Sequence, residues 1–157
     1  MADGSCTLYA ASLNYAAQIR LTYSDDLGRT WSPLRTVSAG GDNYFPTLDT
    51  DPHTGAIVAA YYTNRLDRVF HNRQDVEMVT LGNRGNVLRR RQRMTHLSNE
   101  PEADPLLQGA FIGDYIEVSA SHGVAFVHYN ANRRHVKLLG EGVPVPQQDN
   151  YLTKLYE

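Results

Sequence analysis

The stretch SDDLGRTW, residues 24–31, holds an aspartate pair, a glycine and the chain's only tryptophan. It lies between two short runs rich in β-forming residues. In the first run, QIRLTY, the apolar residues Ile19, Leu21 and Tyr23 alternate with polar ones, which is typical of a strand buried on one face. The second run, PLRTVS at 33–38, also favours a strand. The sequence therefore predicts a β-hairpin with this octet at its tip.

Five residues of the octet have a structural role in such a turn. Asp26 has a short carboxylate that can accept hydrogen bonds from nearby backbone N–H groups. Gly28 can adopt the positive φ that a tight turn requires. Ser24 and Thr30 are placed to bond across the mouth of the turn, and Trp31 can fold its apolar ring over the hairpin.

These residues, Ser24, Asp26, Gly28, Thr30 and Trp31, match the pattern S-x-D-x-G-x-T-W. The stretch resembles the Asp box of the sialidase and BNR-repeat β-propellers. In that family the Asp box is a structural turn between the third and fourth strands of a blade, on the face away from the active site. The resemblance implies a sialidase-like propeller fold, and it implies an activity less directly because the turn itself is structural.

Internal repeats support this interpretation, because a propeller repeats at the length of a blade. Shifted by 57 residues, the octet falls on LGNRGNVL at 81–88, where Asn83 replaces the turn-forming Asp26 and Gly85 replaces Gly28. A further shift of 57 residues reaches Gly142, and this third copy keeps little else. Two apolar runs, GAIVAAYYTNR at 55–65 and GVAFVHYNANR at 123–133, are also similar to each other. Such runs are typical of strands covered on both faces.

The assembled pattern predicts an all-β chain whose residues 1–157 form one partial propeller of four-stranded antiparallel blades. Blade remnants span about 5–38, 44–95 and 111–151, and the first lacks its innermost strand. The C-terminal run PVPQQDNYLTKLYE is equally compatible with a strand and with an irregular tail. Propellers close with roughly four to eight blades, so the ring would be incomplete. The remaining blades would come from a longer chain, of which this is the C-terminal portion, or from a second copy.

Composition excludes several partners. The 15 basic and 17 acidic residues give a net charge of −2, which argues against nucleic acid and anionic membranes. No apolar run reaches the roughly 18 residues of a membrane helix, and the N-terminus lacks the pattern of a signal peptide. Proteins of the resembled family are often secreted or periplasmic, so the compartment stays open. Histidine and acidic residues show no metal-ligand spacing, and we expect neither a metal nor a cofactor.

The arginine-rich run RRRQR at 89–93 has two interpretations. It can be the solvated face of an outer edge strand, where charges prevent pairing with other chains. It can also be a contact patch for a polyanion.

Any binding pocket is expected on the propeller face opposite the Asp box. Strand parity in a four-stranded blade places four loops on that face, at 42–45, 63–73, 96–114 and 129–134. They are rich in tyrosines, carboxylates and arginines. An exo-sialidase uses such residues, with arginines that bind the sialic-acid carboxylate, a tyrosine nucleophile and an aspartic acid/base.

No second complete motif transfers a catalytic role from the resembled family to a numbered residue. If these loops form a site, we expect Tyr115, Asp114 and Arg65 to be its catalytic residues, with Tyr62 and Arg133 lining the substrate site. Two functions stay open. The chain is part of a propeller that acts as an exo-sialidase, a glycoside hydrolase, when complete, or it is a non-catalytic module that binds a glycan or a protein through the same loops. We expect the isolated chain to be inactive. Three arginines around one pocket would favour a sialoside carboxylate as ligand.

Overall fold

The computed structural model describes residues 7–13, 17–105, 113, 115–137 and 142–156, and apart from one 3-10 turn, Pro101–Ala103, their regular secondary structure is all β-strand. The ten strands are β1 (Leu8–Leu13), β2 (Ile19–Ser24), β3 (Arg35–Thr36), β4 (Asn43–Thr50), β5 (Ile57–Thr63), β6 (Asp75–Gly82), β7 (Val87–Arg93), β8 (Glu117–Ser121), β9 (Val124–Val136) and β10 (Val145–Tyr156). They form three antiparallel sheets, β1-β2-β3, β4-β5-β6-β7 and β8-β9-β10. The prediction of an all-β chain is confirmed. The described residues include no helix that is long and apolar enough to cross a membrane.

The four-stranded sheet lies between the other two, and its central strands β5 and β6 are buried along their whole length. Alternate residues of a strand point to opposite faces. Val58, Ala60 and Tyr62 of β5 therefore pack with the third sheet, whereas Ile57, Ala59 and Tyr61 pack with the first. This double burial explains why β5 is a continuous apolar run.

Two aspartates at the end of β4 tie the middle sheet to the third sheet. Asp49 accepts a hydrogen bond from the Ala120 N–H at 2.8 Å. Asp51 is buried and accepts bonds from the N–H groups of His53, at 2.7 Å, and Gly123, at 2.6 Å. The carboxylate of Asp51 thus closes its own turn and holds the β8–β9 turn against it.

The octet at 24–31 forms the predicted hairpin tip. Ser24 Oγ donates to Asp26 Oδ1 at 2.7 Å and accepts from the Gly28 N–H at 2.8 Å. Asp26 also accepts from the Thr30 N–H, at 2.8 Å, and from its hydroxyl, at 2.6 Å. Gly28 has a φ of +83°. The indole N–H of Trp31 donates to the Gly28 carbonyl at 3.1 Å, so the ring covers the turn.

The second copy of this turn connects β6 to β7 with a similar backbone. Gly85 has a φ of +81°, close to that of Gly28, and Arg84 has a positive φ as Leu27 does. A Cβ on Gly85 would lie 2.4 Å from Leu21 Cδ2. The glycine is therefore required by its conformation and by the close approach of the first sheet. In the third copy, Gly142 is described but the residues immediately before it lie outside the described ranges.

Several strands differ from the sequence predictions. β3 has only two residues, because the N–H groups of Val37 and Ser38 both donate to the Ile19 carbonyl instead of continuing a regular ladder. β10 is a strand of 12 residues paired along β9, where the sequence alone left a tail open. Among the described residues the middle sheet has four strands and the first has three, as predicted, whereas the third sheet has three strands.

The arginine run lies on β7, the edge strand of the middle sheet, and its side chains differ in their partners. Arg89 and Arg90 are exposed. Arg91 and Arg93 instead form ion pairs with the buried carboxylates of Glu77 and Asp75. The interpretation of a solvated edge therefore agrees with the position of the strand and with Arg89 and Arg90, whereas Arg91 and Arg93 also serve as partners of buried carboxylates. Buried carboxylates on β6 need cationic partners, and β7 supplies them.

Candidate functional site

A cavity of about 440 Å³ lies where β6 and β7 of the middle sheet approach the paired strands β9 and β10. We call it the arginine cavity. Its charged and titratable lining residues are Arg73, Arg93, Arg133, His96, His135 and Glu100. Most of its lining belongs to three of the four loops that the sequence predicted for a pocket, and the loop 42–45 does not contribute. Smaller cavities lie at the Asp-box end, between the first and middle sheets.

Arg93 is held in the wall of the cavity by a buried aspartate. Its Nε and Nη2 donate to Asp75 Oδ1 at 2.9 and 2.7 Å. Asp75 is fully buried and also accepts from the hydroxyls of Thr95, at 2.5 Å, and Ser98, at 2.9 Å. The positive charge of Arg93 is thus neutralised, and its guanidinium is fixed in orientation.

Arg73 has a more exposed partner. Its Nε donates to Glu100 Oε1 at 2.7 Å, and about half of each side chain is exposed. The hydrogen bond that Arg73 donates to the Glu100 carboxylate raises the pKa of the Arg73 guanidinium above its ordinary value. The backbone of Glu100 is held by Asn132, whose Oδ1 accepts from the Glu100 N–H at 3.2 Å and whose amide donates to the Glu100 carbonyl.

Arg133 differs from the other two arginines. Its guanidinium carbon lies 3.9 Å from the centre of the Tyr151 ring. No carboxylate among the described residues forms an ion pair with it. A cation–π contact leaves the charge of the arginine uncompensated.

The internal repeat explains this difference. Arg65 and Arg133 occupy equivalent positions, four residues after Tyr61 and Tyr129. On the neighbouring strand, Tyr61 is paired with Glu77, whereas Tyr129 is paired with Tyr151. Arg65 therefore contacts the Glu77 carboxylate, and Arg133 contacts the Tyr151 ring at the equivalent position of its own sheet.

Of the predicted catalytic residues, the two that are described, Arg65 and Tyr115, do not line the arginine cavity. Arg65 donates to the buried Glu77 through Nε at 3.0 Å and through Nη2. Tyr115 is 78% exposed. Asp114 lies outside the described residues.

The two predicted substrate-binding residues, Tyr62 and Arg133, lie in different environments. Tyr62 is fully buried, and its hydroxyl donates to the Asn130 carbonyl at 3.0 Å and accepts from the Asn130 N–H at 2.9 Å. Burial raises the pKa of Tyr62 to about 12. Its position is that of a core residue between the middle and third sheets. Arg133, in contrast, lines the cavity.

Sequence reasoning missed Arg93 and His135 as lining residues. A signal for Arg93 was present in β6, DVEMVTLG, where two acidic residues interrupt a buried strand. Buried carboxylates are almost always paired, and the facing strand carries alternating arginines. His135 gave no comparable signal, because its position depends on how β9 and β10 meet the middle sheet.

The described residues contain no group of three or more His, Cys, Asp or Glu placed to hold a metal ion. No protein-family model, curated protein or solved structure matches the chain. The Asp-box resemblance therefore stays a prediction, and function has to be argued from the site.

Proposed function

We propose that this chain is part of a sialidase-like Asp-box propeller and that its arginine cavity binds an acidic glycan through a carboxylate. Support for the fold comes from the Asp-box turn, its second copy between β6 and β7, and a middle sheet that lies between two others with its central strands β5 and β6 fully buried. Repeated four-stranded blades stacked face to face would produce these features. The remaining blades would belong to a longer chain or to a second copy.

The proposal for the ligand rests on Arg133, which has no carboxylate partner among the described residues. Three guanidinium groups line the cavity, and two of them are matched by Asp75 and Glu100. One of the three positive charges is therefore unmatched among the described residues, which favours a ligand with a single negative charge. A guanidinium presents two parallel N–H groups that match a carboxylate, and sialic acids and other acidic sugars carry such a group.

We propose binding rather than hydrolysis for the chain as it stands. Arg65 forms an ion pair with Glu77, and the Tyr62 hydroxyl is hydrogen-bonded to the backbone of Asn130. Neither group is available to a substrate. Hydrolysis of a sialoside by a completed ring stays a prediction from the resemblance, as does the alternative of a protein ligand at the same loops.

The test is a calorimetric titration of the chain with 3′-sialyllactose and, in parallel, with lactose, which lacks the carboxylate. We expect binding of the sialylated sugar only. Arg133→Gln should weaken it by about tenfold or more, since a hydrogen bond to a charged group contributes about 1.5–3 kcal/mol. Arg134→Gln removes the same charge from the next, exposed residue and should change affinity little. Equal binding of both sugars, or an unchanged affinity in Arg133→Gln, would contradict the proposal.

A further inference from the structure

Glu100 stands between two cavities. One is the arginine cavity, and the other is an adjoining space of about 250 Å³ lined by Asn72, Glu100, Pro101, Glu102 and Ala103. The second cavity carries acidic side chains, whereas the first carries the three arginines. The Glu100 carboxylate therefore lies at the boundary of a basic and an acidic space.

The carboxylate of Glu100 already occupies Arg73, one of the three arginines that the cavity offers to an acidic sugar. It accepts a charged hydrogen bond from Arg73 Nε at 2.7 Å inside the arginine cavity. An incoming carboxylate that uses Arg73 has to displace Glu100 from Nε or share the guanidinium with it. Two carboxylates at one guanidinium also repel each other.

The Glu100 side chain can rotate out of the arginine cavity without a movement of its backbone. Its N–H and carbonyl are fixed by the amide of Asn132, and the carbonyl also accepts from the Ala103 N–H at 3.0 Å. The side chain itself is about half exposed. Rotation toward the neighbouring cavity would open the arginine cavity while the loop stays in place.

We infer that Glu100 is a built-in competitor that occupies the arginine cavity in the absence of ligand and lowers its affinity for acidic sugars. The inference rests on the proposed function. It differs from a positioning role, in which Glu100 would hold Arg73 ready for the ligand. The two roles predict opposite effects when the charge is removed.

The experiment compares Glu100→Gln with Glu102→Gln, which removes the same charge two residues away from a side chain that lines only the neighbouring cavity. Each variant and the unmodified chain are titrated with 3′-sialyllactose and with lactose by calorimetry at one salt concentration. A unit charge about 4 Å away in a wet site changes affinity by about fivefold. We expect Glu100→Gln to bind the sialylated sugar about fivefold more tightly and Glu102→Gln to stay within about twofold of the unmodified chain.

Three other outcomes would overturn the inference. Weaker or equal binding in Glu100→Gln, with normal binding in the unmodified chain, would assign Glu100 a positioning role or none. An equal increase in affinity in both variants would indicate that the sugar responds to the total negative charge of the loop and not to Glu100 in particular. Absence of sialyllactose binding in all three proteins would refute the proposed function itself, and the competitor role with it.

Discussion

Glu77 is the residue whose replacement should destabilise this protein most clearly. It is fully buried on β6, and both of its oxygens are used. Oε1 accepts from Arg65, and Oε2 accepts from the Tyr61 hydroxyl at 3.2 Å and from Arg91 at 3.3 Å. Arg91 also donates to the Val37 carbonyl at 2.7 Å, which extends the network to the first sheet.

Glu77→Gln keeps the shape of the side chain but removes its charge and turns one acceptor into a donor that faces other donors. Removal of one partner from a buried ion pair costs about 3–5 kcal/mol. We expect the lower end, about 3 kcal/mol, because the arginine side chains are 30% and 23% exposed and regain some hydration. With a urea m-value of about 2 kcal/mol/M, the unfolding midpoint should fall by about 1.5 M.

The assay is urea unfolding followed by far-UV circular dichroism, with Glu117→Gln as the control. Glu117 is an exposed residue at the start of β8, and its replacement should change the free energy of unfolding by less than about 0.5 kcal/mol. If Glu77→Gln unfolds within about 1 kcal/mol of the unmodified chain, the network does not stabilise the contact between the middle and first sheets.

The Asp-box turn provides two further predictions. Hydrogen bonds from Thr30, and then from Ser24, lower the pKa of Asp26 to about 2 from its ordinary 3.8, so its contribution to stability is complete above about pH 4 and is lost as the pH falls toward 2. Asp26→Asn should remove that part of the acid dependence of the unfolding midpoint, and an unchanged pH profile would argue against this role. Gly28→Ala should destabilise by about 1 kcal/mol because of the positive φ, whereas Gly40→Ala, at a glycine with no atom within 4 Å of an added Cβ, should not. Equal free energies of unfolding for the two alanine variants would contradict that reasoning.

Local features of this chain were predictable from the sequence because they depend on residues close together along it. The Asp-box hairpin follows from Asp26 and Gly28, whose hydrogen bonds and backbone conformation are confined to eight residues. The buried strand β5 follows from its continuous apolar run, and the second copy of the turn follows from Asn83 and Gly85. The loops that form most of the arginine cavity also followed from the order of the strands.

The use of each arginine was decided only by the tertiary structure. Arg65 and Arg133 have the same local sequence context, yet one meets Glu77 and the other meets Tyr151, because the neighbouring strands carry different residues at the paired position. In the same way, β10 became a strand only through its ladder with β9, and Arg91 and Arg93 turned inward only because β6 offers buried carboxylates. Turn geometry and burial pattern are local properties of a sequence, whereas the partner of a charge depends on which strands are brought together, and strand register sets that pairing across long distances in the chain.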